Sequence, residues 1–103
     1  MSYDVNIECP HCATSLASFN YTYNLAEMFR WALGGDGLWQ LGSMSVGDAI
    51  PLLEQAIAKC EADGNLSHFD APNGWGHGTA ALAFLRNILK AAQGNPGMRI
   101  TVS

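Results

Sequence analysis

Residues 2–23 of the chain are SYDVNIECPHCATSLASFNYTY, and their pattern indicates a β-hairpin. Tyr3, Val5 and Ile7 alternate with polar residues, which is the period of two expected of a strand with one buried face. A Cys-Pro-His-Cys segment then interrupts the alternation, and residues 15–23 continue with aromatic side chains that favour strands. We therefore predict two strands with the cysteine pair at the turn between them.

Three helices are predicted after the hairpin. Asn24 is the expected N-cap of the first, since its side chain can accept from a free amide of the first turn, and Gly34 ends this helix. Ser45 is the expected N-cap of the second, which ends at Gly64. The third helix is predicted over about residues 79–93, where apolar residues recur at helical spacing.

A last strand closes the predicted fold. Met98, Ile100 and Val102 alternate with polar residues after a turn that contains Asn, Pro and Gly. The simplest closure pairs this strand with the hairpin and packs the helices on one face. We predict a single α+β domain over residues 1–103, with a three-stranded antiparallel sheet, three helices and the order β-β-α-α-α-β.

Composition and charge exclude several classes of function. The 103 residues are 49% apolar and 14% charged, which is typical of a folded domain. The formal charge is −4 with only five lysines and arginines, too few for a basic patch that binds a nucleic acid polymer. No apolar stretch reaches the roughly 20 residues of a membrane span. Residues 1–6 lack the features of a signal peptide, so we expect a cytoplasmic protein that does not bind a membrane.

Five segments of the chain form a recognisable set of motifs: Asn20-Tyr21-Thr22-Tyr23-Asn24-Leu25, Gly47 to Leu53, Pro72-Asn73-Gly74-Trp75-Gly76, Ala81 to Leu85, and Arg99 to Ser103. Together they resemble the motifs of a family of short proteins encoded in bacteriophages and bacterial genomes. The resemblance covers most of the chain and implies an origin in a phage or another mobile element, and hence the host cytoplasm. It implies no particular activity.

The cysteine pair is a candidate metal site. Cys9 and Cys12 are separated by two residues at the predicted turn, a spacing that lets both thiolates bind one Zn²⁺ and forms half of a tetrahedral site. A second subunit or another residue of the chain would complete it, the candidates being His11, Cys60, His68 and His77. The alternative is a pair of free thiols. Redox catalysis is disfavoured, because it places such a pair at a helix N-terminus and a strand follows here.

A glycine-rich stretch before the third helix is the candidate ligand site. Its glycines let the backbone approach a ligand, and the first amides of the helix that follows can hold an anion. Trp75 could stack on a base and His77 could donate a hydrogen bond to it. The alternative is an irregular loop whose tryptophan fills the core. The predicted ligand-binding residues are Asn73, Gly74, Trp75, Gly76 and His77, with Tyr21, Tyr23 and Asn24 placed nearby by the paired motifs.

No catalytic residues are predicted. Cys60 lies on the apolar stripe of the second helix, so that a Cys60-His68-Asp70 nucleophile system is disfavoured. The remaining large residues Met28, Trp31, Trp39 and Met44 are predicted to lie in the core.

Two hypotheses of function follow from the sequence. The first is a small non-catalytic binding protein of phage type, which sequesters a nucleotide-like ligand or inhibits a host protein. The second is a zinc-stabilised structural or adaptor domain that uses Cys9 and Cys12. A homo-oligomer is compatible with both.

Overall fold

The computed structural model describes residues 2–103 and contains three strands and three α-helices. The strands are β1 (Ser2–Glu8), β2 (Ser15–Thr22) and β3 (Arg99–Val102), and the helices are α1 (Ala26–Leu33), α2 (Val46–Asp63) and α3 (Gly78–Gln93). Short 3-10 helices lie at Tyr23–Leu25, Gly37–Leu41 and Leu66–Phe69. The predicted α+β class and the order β-β-α-α-α-β are confirmed.

The sheet has the order β2-β1-β3, with both neighbours antiparallel to the central strand. At the open end of the hairpin Ser2 pairs with Thr22, and on the other side of β1 Ile7 pairs with Ile100. Because β1 is central and alternates, its Tyr3, Val5 and Ile7 side chains all lie on the buried face. The predicted closure of the hairpin by the C-terminal strand is therefore confirmed.

The core lies between this face of the sheet and the helices. Its fully buried side chains include Val5 from β1, Phe29 from α1, Leu53 from α2, Leu85 from α3 and Ile100 from β3. Burying each such side chain stabilises the fold by roughly 1.5–3 kcal/mol. The sheet and all three helices are therefore held as one packed unit, and the loops that carry the candidate sites are attached to it.

The ends of α2 are as predicted. The Ser45 Oγ atom accepts from the backbone N–H of Asp48 at 3.2 Å, and Gly64 takes the left-handed conformation at φ 77° after the last turn. The helix continues through Pro51, which is exposed and costs one intrahelical hydrogen bond.

The prediction that Asn24 caps α1 is wrong. Residues Tyr23–Leu25 form a 3-10 turn, and α1 begins after it with Leu25 at the N-cap position and no side-chain cap. In that turn the Thr22 hydroxyl accepts from the Asn24 N–H at 3.2 Å. The Asn24 side chain is directed elsewhere, to the loop before α3.

The large side chains predicted for the core are only partly there. Met28 is fully buried, whereas Trp31 and Met44 are half-buried and Trp39 is 44% exposed. The Trp39 ring packs at the surface on Tyr3, with 5.2 Å between ring centroids. Among the residues that the structure describes, no helix has the length and apolar character needed to cross a membrane.

Candidate functional site

Residues 71–77, here called the tryptophan loop, join the 3-10 helix at Leu66–Phe69 to α3. The loop is closed by its own backbone: Gly74 N–H donates to the Ala71 carbonyl, and Ala71 N–H donates to the Gly76 carbonyl, both at 3.0 Å. Gly76 has φ 132°, and a Cβ atom there would lie 2.4 Å from Leu25 Cδ2. Only glycine therefore lets the loop pack this closely on the start of α1.

Side chains from β2 and the turn after it hold the loop in place. The Tyr21 hydroxyl donates to the His77 carbonyl at 2.9 Å and accepts from the His77 N–H at 3.3 Å. Asn24 Nδ2 donates to the Trp75 carbonyl at 2.9 Å. Within the loop, the Trp75 N–H donates to Asn73 Oδ1 at 3.0 Å. The structure thus brings Tyr21 and Asn24 to the tryptophan loop and leaves its main chain well anchored.

Tyr23 lies apart from the tryptophan loop. Its ring packs on Tyr3, with 4.6 Å between centroids, and on Trp39 at 5.7 Å. These three rings form a separate aromatic cluster at the edge of the core, so of the three residues predicted beside the loop Tyr23 is the one that the structure does not place there.

The indole of Trp75 is 72% exposed. The alternative in which this tryptophan fills the core is therefore wrong. The main chain of Trp75 is fixed at both its N–H and its carbonyl, so that an exposed aromatic ring is carried on an ordered backbone. Because this backbone is already ordered, binding at the ring costs little additional backbone conformational entropy.

Beside the indole lies an open recess of about 400 Å³, here called the polar recess. This volume is within the range of about 300–1,000 Å³ that small-molecule sites occupy. Its described lining is Ser2, Asn20, Thr22, Asn24, Asn73 and Trp75. None of these six residues is charged, so that the recess offers hydroxyl and amide groups next to one aromatic face.

The polar side of the recess comes from the open end of the hairpin. Asn20 and Thr22 lie on the same face of β2, and Ser2 is the register partner of Thr22. Asn20 Nδ2 donates to Ser2 Oγ and to Asp4 Oδ1, each at 2.9 Å. Sequence reasoning missed Ser2, Asn20 and Thr22, although the polar alternation of β2 opposite its aromatic residues was a usable signal.

Three amide groups of the recess remain available to a ligand. Asn20 Oδ1, Asn24 Oδ1 and Asn73 Nδ2 make no hydrogen bond to another residue within 2–103, while the other end of each amide is bonded. Their partnered ends fix the orientation of each amide group. The asparagines that line the recess thus leave two carbonyl oxygens and one amino group without a partner among the described residues.

The N-terminus of α3 is capped by the chain's own carboxylate. Gly78 N–H donates to Asp70 Oδ1 at 2.8 Å, and His77 Nδ1 lies 3.3 Å from Asp70 Oδ2. The Gly78 N–H and, to a smaller extent, His77 hold the pKa of Asp70 below its ordinary value. A bound phosphate would have to compete with this carboxylate, which weighs against the predicted anion site.

The cysteine pair lies in the turn between β1 and β2. Cys9 is half-buried and Cys12 is exposed, and the turn is closed by hydrogen bonds from Cys9 N–H to the Thr14 carbonyl at 3.0 Å and from Ala13 N–H to the Cys9 carbonyl at 2.9 Å. Cys12 Sγ lies 3.2 Å from Thr14 Oγ1. Hydrogen bonds from Thr14 and then from the Cys9 thiol lower the pKa of Cys12 to about 7.

Of the residues proposed to complete this site, His11 belongs to the same turn, whereas Cys60, His68 and His77 lie on other parts of the chain. Cys60 is buried on α2, where burial raises the pKa of its thiol. His68 Nε2 lies 3.2 Å from Asp63 Oδ1, and His77 faces Asp70. Over residues 2–103 no group of three or more histidine, cysteine, aspartate or glutamate side chains could hold a metal ion. A zinc ion at the pair would need further ligands from elsewhere.

No family model matches this chain, and no curated protein or solved structure matches it. Its function is therefore inferred from two exposed features of its geometry. One is the polar recess with Trp75, and the other is the cysteine pair at the tip of the hairpin.

Proposed function

We propose that this protein is a non-catalytic binding protein that holds a small ligand by stacking a nucleobase-type ring on Trp75. The observation that carries the proposal is an indole that is 72% exposed, on an anchored loop, at the rim of an uncharged polar recess. Stacking of a base on an aromatic side chain is worth about 1–3 kcal/mol by alanine substitution.

The hydrogen-bonding groups of the recess suit the edge of a base. Asn20 Oδ1 and Asn24 Oδ1 can accept from exocyclic amines or ring N–H groups, and Asn73 Nδ2 can donate to a carbonyl or a ring nitrogen. Nucleobases carry donors and acceptors along one edge of a flat ring. A stacked base with its edge toward the recess would meet groups of both kinds.

The charge distribution favours the base over the phosphate as the recognised part. The recess is lined by uncharged described residues, and the nearby N-terminus of α3 already has the Asp70 carboxylate. The formal charge of −4 further disfavours a polyanion. We therefore expect a nucleoside to bind at least as tightly as its 5′-monophosphate.

A concave site also favours a small ligand over a host protein as the occupant. An exposed tryptophan is a common anchor at protein interfaces, where it fills a pocket on the partner. Here the indole stands beside a recess on its own chain, and that recess would be left unfilled by a partner that only receives the ring. Inhibition of a host protein thus ranks second.

Calorimetric titration with the common nucleosides and their 5′-monophosphates tests the proposal. We expect saturable heat with at least one nucleoside and quenching of tryptophan fluorescence on binding. Trp75→Ala should weaken binding at least about fivefold, the equivalent of the lower limit of base stacking. Leu16→Ala is the matched control, since Leu16 is 50% exposed on β2 and lies four residues, or about 13 Å, along that strand from Asn20 of the recess.

Two results would contradict the proposal. One is the absence of heat with every nucleoside and nucleotide of the panel at millimolar concentration. The other is binding that Trp75→Ala leaves unchanged, because the stacking platform would then play no part.

A further inference from the structure

We propose that the turn between β1 and β2 binds a zinc ion that is shared by two copies of this chain, each copy supplying Cys9 and Cys12. The site is independent of the polar recess. The turn carries both cysteines at the tip of one hairpin, with two residues between them, Cys9 half-buried and Cys12 exposed. Two thiolates from one tight turn supply two corners of a tetrahedral zinc site.

The backbone of the turn is built to hold this pair. The Cys9 N–H donates a hydrogen bond to the Thr14 carbonyl, and the Cys9 carbonyl accepts one from the Ala13 N–H. Ala13, directly after the second cysteine, takes the left-handed conformation at φ 57°. This conformation is unfavourable for an alanine, so the hydrogen bonds of the turn must stabilise it. The two cysteines are thus presented together and do not depend on a flexible loop.

Zinc needs four ligands in a structural site, and one chain supplies only two. Within residues 2–103 no further donor joins the pair, since Cys60 is buried in α2 and the nearest histidine, His11, completes no group of three. The missing two ligands must come from another molecule. A second copy offers an identical pair, and a two-fold axis through the metal would complete a site of four cysteines.

The surroundings of the turn allow two copies to approach. All residues from 10 to 16 are exposed. Residues 9–16 contain no aspartate, glutamate, lysine or arginine, and the adjacent Glu8 is paired with Arg99 at 3.0 Å. Like-charge repulsion between such side chains, which costs several kcal/mol at a mismatched interface, is therefore absent at the contact. Leu16, 50% exposed beside the turn, would be covered by the partner.

When zinc binds at this site, the metal ion replaces the thiol protons, and no oxidation is involved. Four thiols each lose one proton, and the four thiolates bind one Zn²⁺ to give a centre with two net negative charges. Zinc uptake by metal-free protein should therefore release protons and bring two chains together in the same step.

Zinc titration of the full chain, made metal-free with a chelator under reducing conditions, tests this inference. Bound zinc is measured by elemental analysis and molecular mass by sedimentation equilibrium. We expect one zinc ion per two chains and a conversion from monomer to dimer that a chelator reverses. Cobalt in place of zinc should give the absorption of a tetrahedral thiolate site.

Three variants decide between the possible outcomes. Cys12→Ser should abolish both zinc binding and dimer formation, and it should keep the far-ultraviolet circular dichroism because Cys12 is exposed. His11→Ala and Cys60→Ser should retain both. Zinc bound as one ion per monomer, no zinc retained, or a dimer that forms equally without zinc would each overturn the inference. Nucleoside binding by metal-free protein is a separate measurement, so failure of one proposal leaves the other intact.

Discussion

Replacing Gly78 with alanine should destabilise the protein, although the same change in most helices is stabilising. Gly78 is the first residue of α3, and a Cβ atom on it would lie 2.2 Å from the Leu66 carbonyl oxygen and 2.8 Å from Leu66 Cβ. The oxygen is a backbone atom of Leu66, the buried first residue of the 3-10 turn, so that the backbone itself must move. Overpacking of this kind costs about 1–3 kcal/mol, and the upper end applies here.

Gly47 is the matched control for this substitution. It lies in the first turn of α2, it is exposed, and a Cβ atom there would meet nothing closer than 3.9 Å. Alanine at this position gains helix propensity and should stabilise the protein by about 0.5 kcal/mol. The same gain offsets part of the clash at Gly78, which leaves a net loss of about 2 kcal/mol there. The two variants should therefore differ in sign.

Urea unfolding followed by circular dichroism measures both effects on one scale. At unchanged slope, the Gly78→Ala midpoint should fall and the Gly47→Ala midpoint should rise. A loss of about 2 kcal/mol corresponds to a decrease of roughly 8–16 °C in the melting temperature of a domain of this size. If Gly78→Ala were as stable as the unmodified protein, the close approach of α3 to the 3-10 turn would be refuted. The account of how the tryptophan loop is positioned would fail with it.

Three further predictions concern the loop and the thiols. Tyr21→Phe removes both hydrogen bonds to His77 and should cost about 1–2 kcal/mol, with faster hydrogen exchange at the His77 amide. The pKa of Asp70 is lower in the folded state than in the unfolded state. Ionised Asp70 therefore stabilises the fold above the unfolded-state pKa, and this stabilisation is lost as pH falls through the folded-state pKa. Asp70→Asn should remove this part of the acid dependence of the urea midpoint. In metal-free protein the thiols of Cys9 and Cys12 should react readily with an aromatic disulfide reagent, whereas Cys60 should react only in denaturant. Fast reaction of all three thiols would contradict the burial of Cys60.

The fold was accessible from the sequence because its signals are local. The alternation of β1, the Ser45 cap and the glycine after α2 each act over a few residues, and the structure has all of them where they were predicted. The pairing of the last strand with the hairpin also followed, because the hairpin offers few edges to a single remaining strand, and the structure shows that β1 is its neighbour.

The errors concern residues whose partners are distant in the chain. Asn24 has the chemistry of an N-cap, but its amide donates to the Trp75 carbonyl 51 residues away, which no local pattern records. The exposure of Trp75 could not be read from its type, since tryptophan is usually well buried. Asp70 fills the N-terminus of α3 through a turn that the sequence left irregular.

The order of strands and helices, the buried faces and the cysteine turn were determined by the sequence alone, because hydrophobic periodicity and capping act between near neighbours. The tertiary structure decided that Trp75 faces solvent, that Ser2, Asn20 and Thr22 line a recess beside it, and that no third metal ligand from the part of the chain it describes joins the cysteine pair. These features depend on how separate elements pack against one another. They arise from contacts between residues far apart in the chain, so they exist only once the whole core has formed.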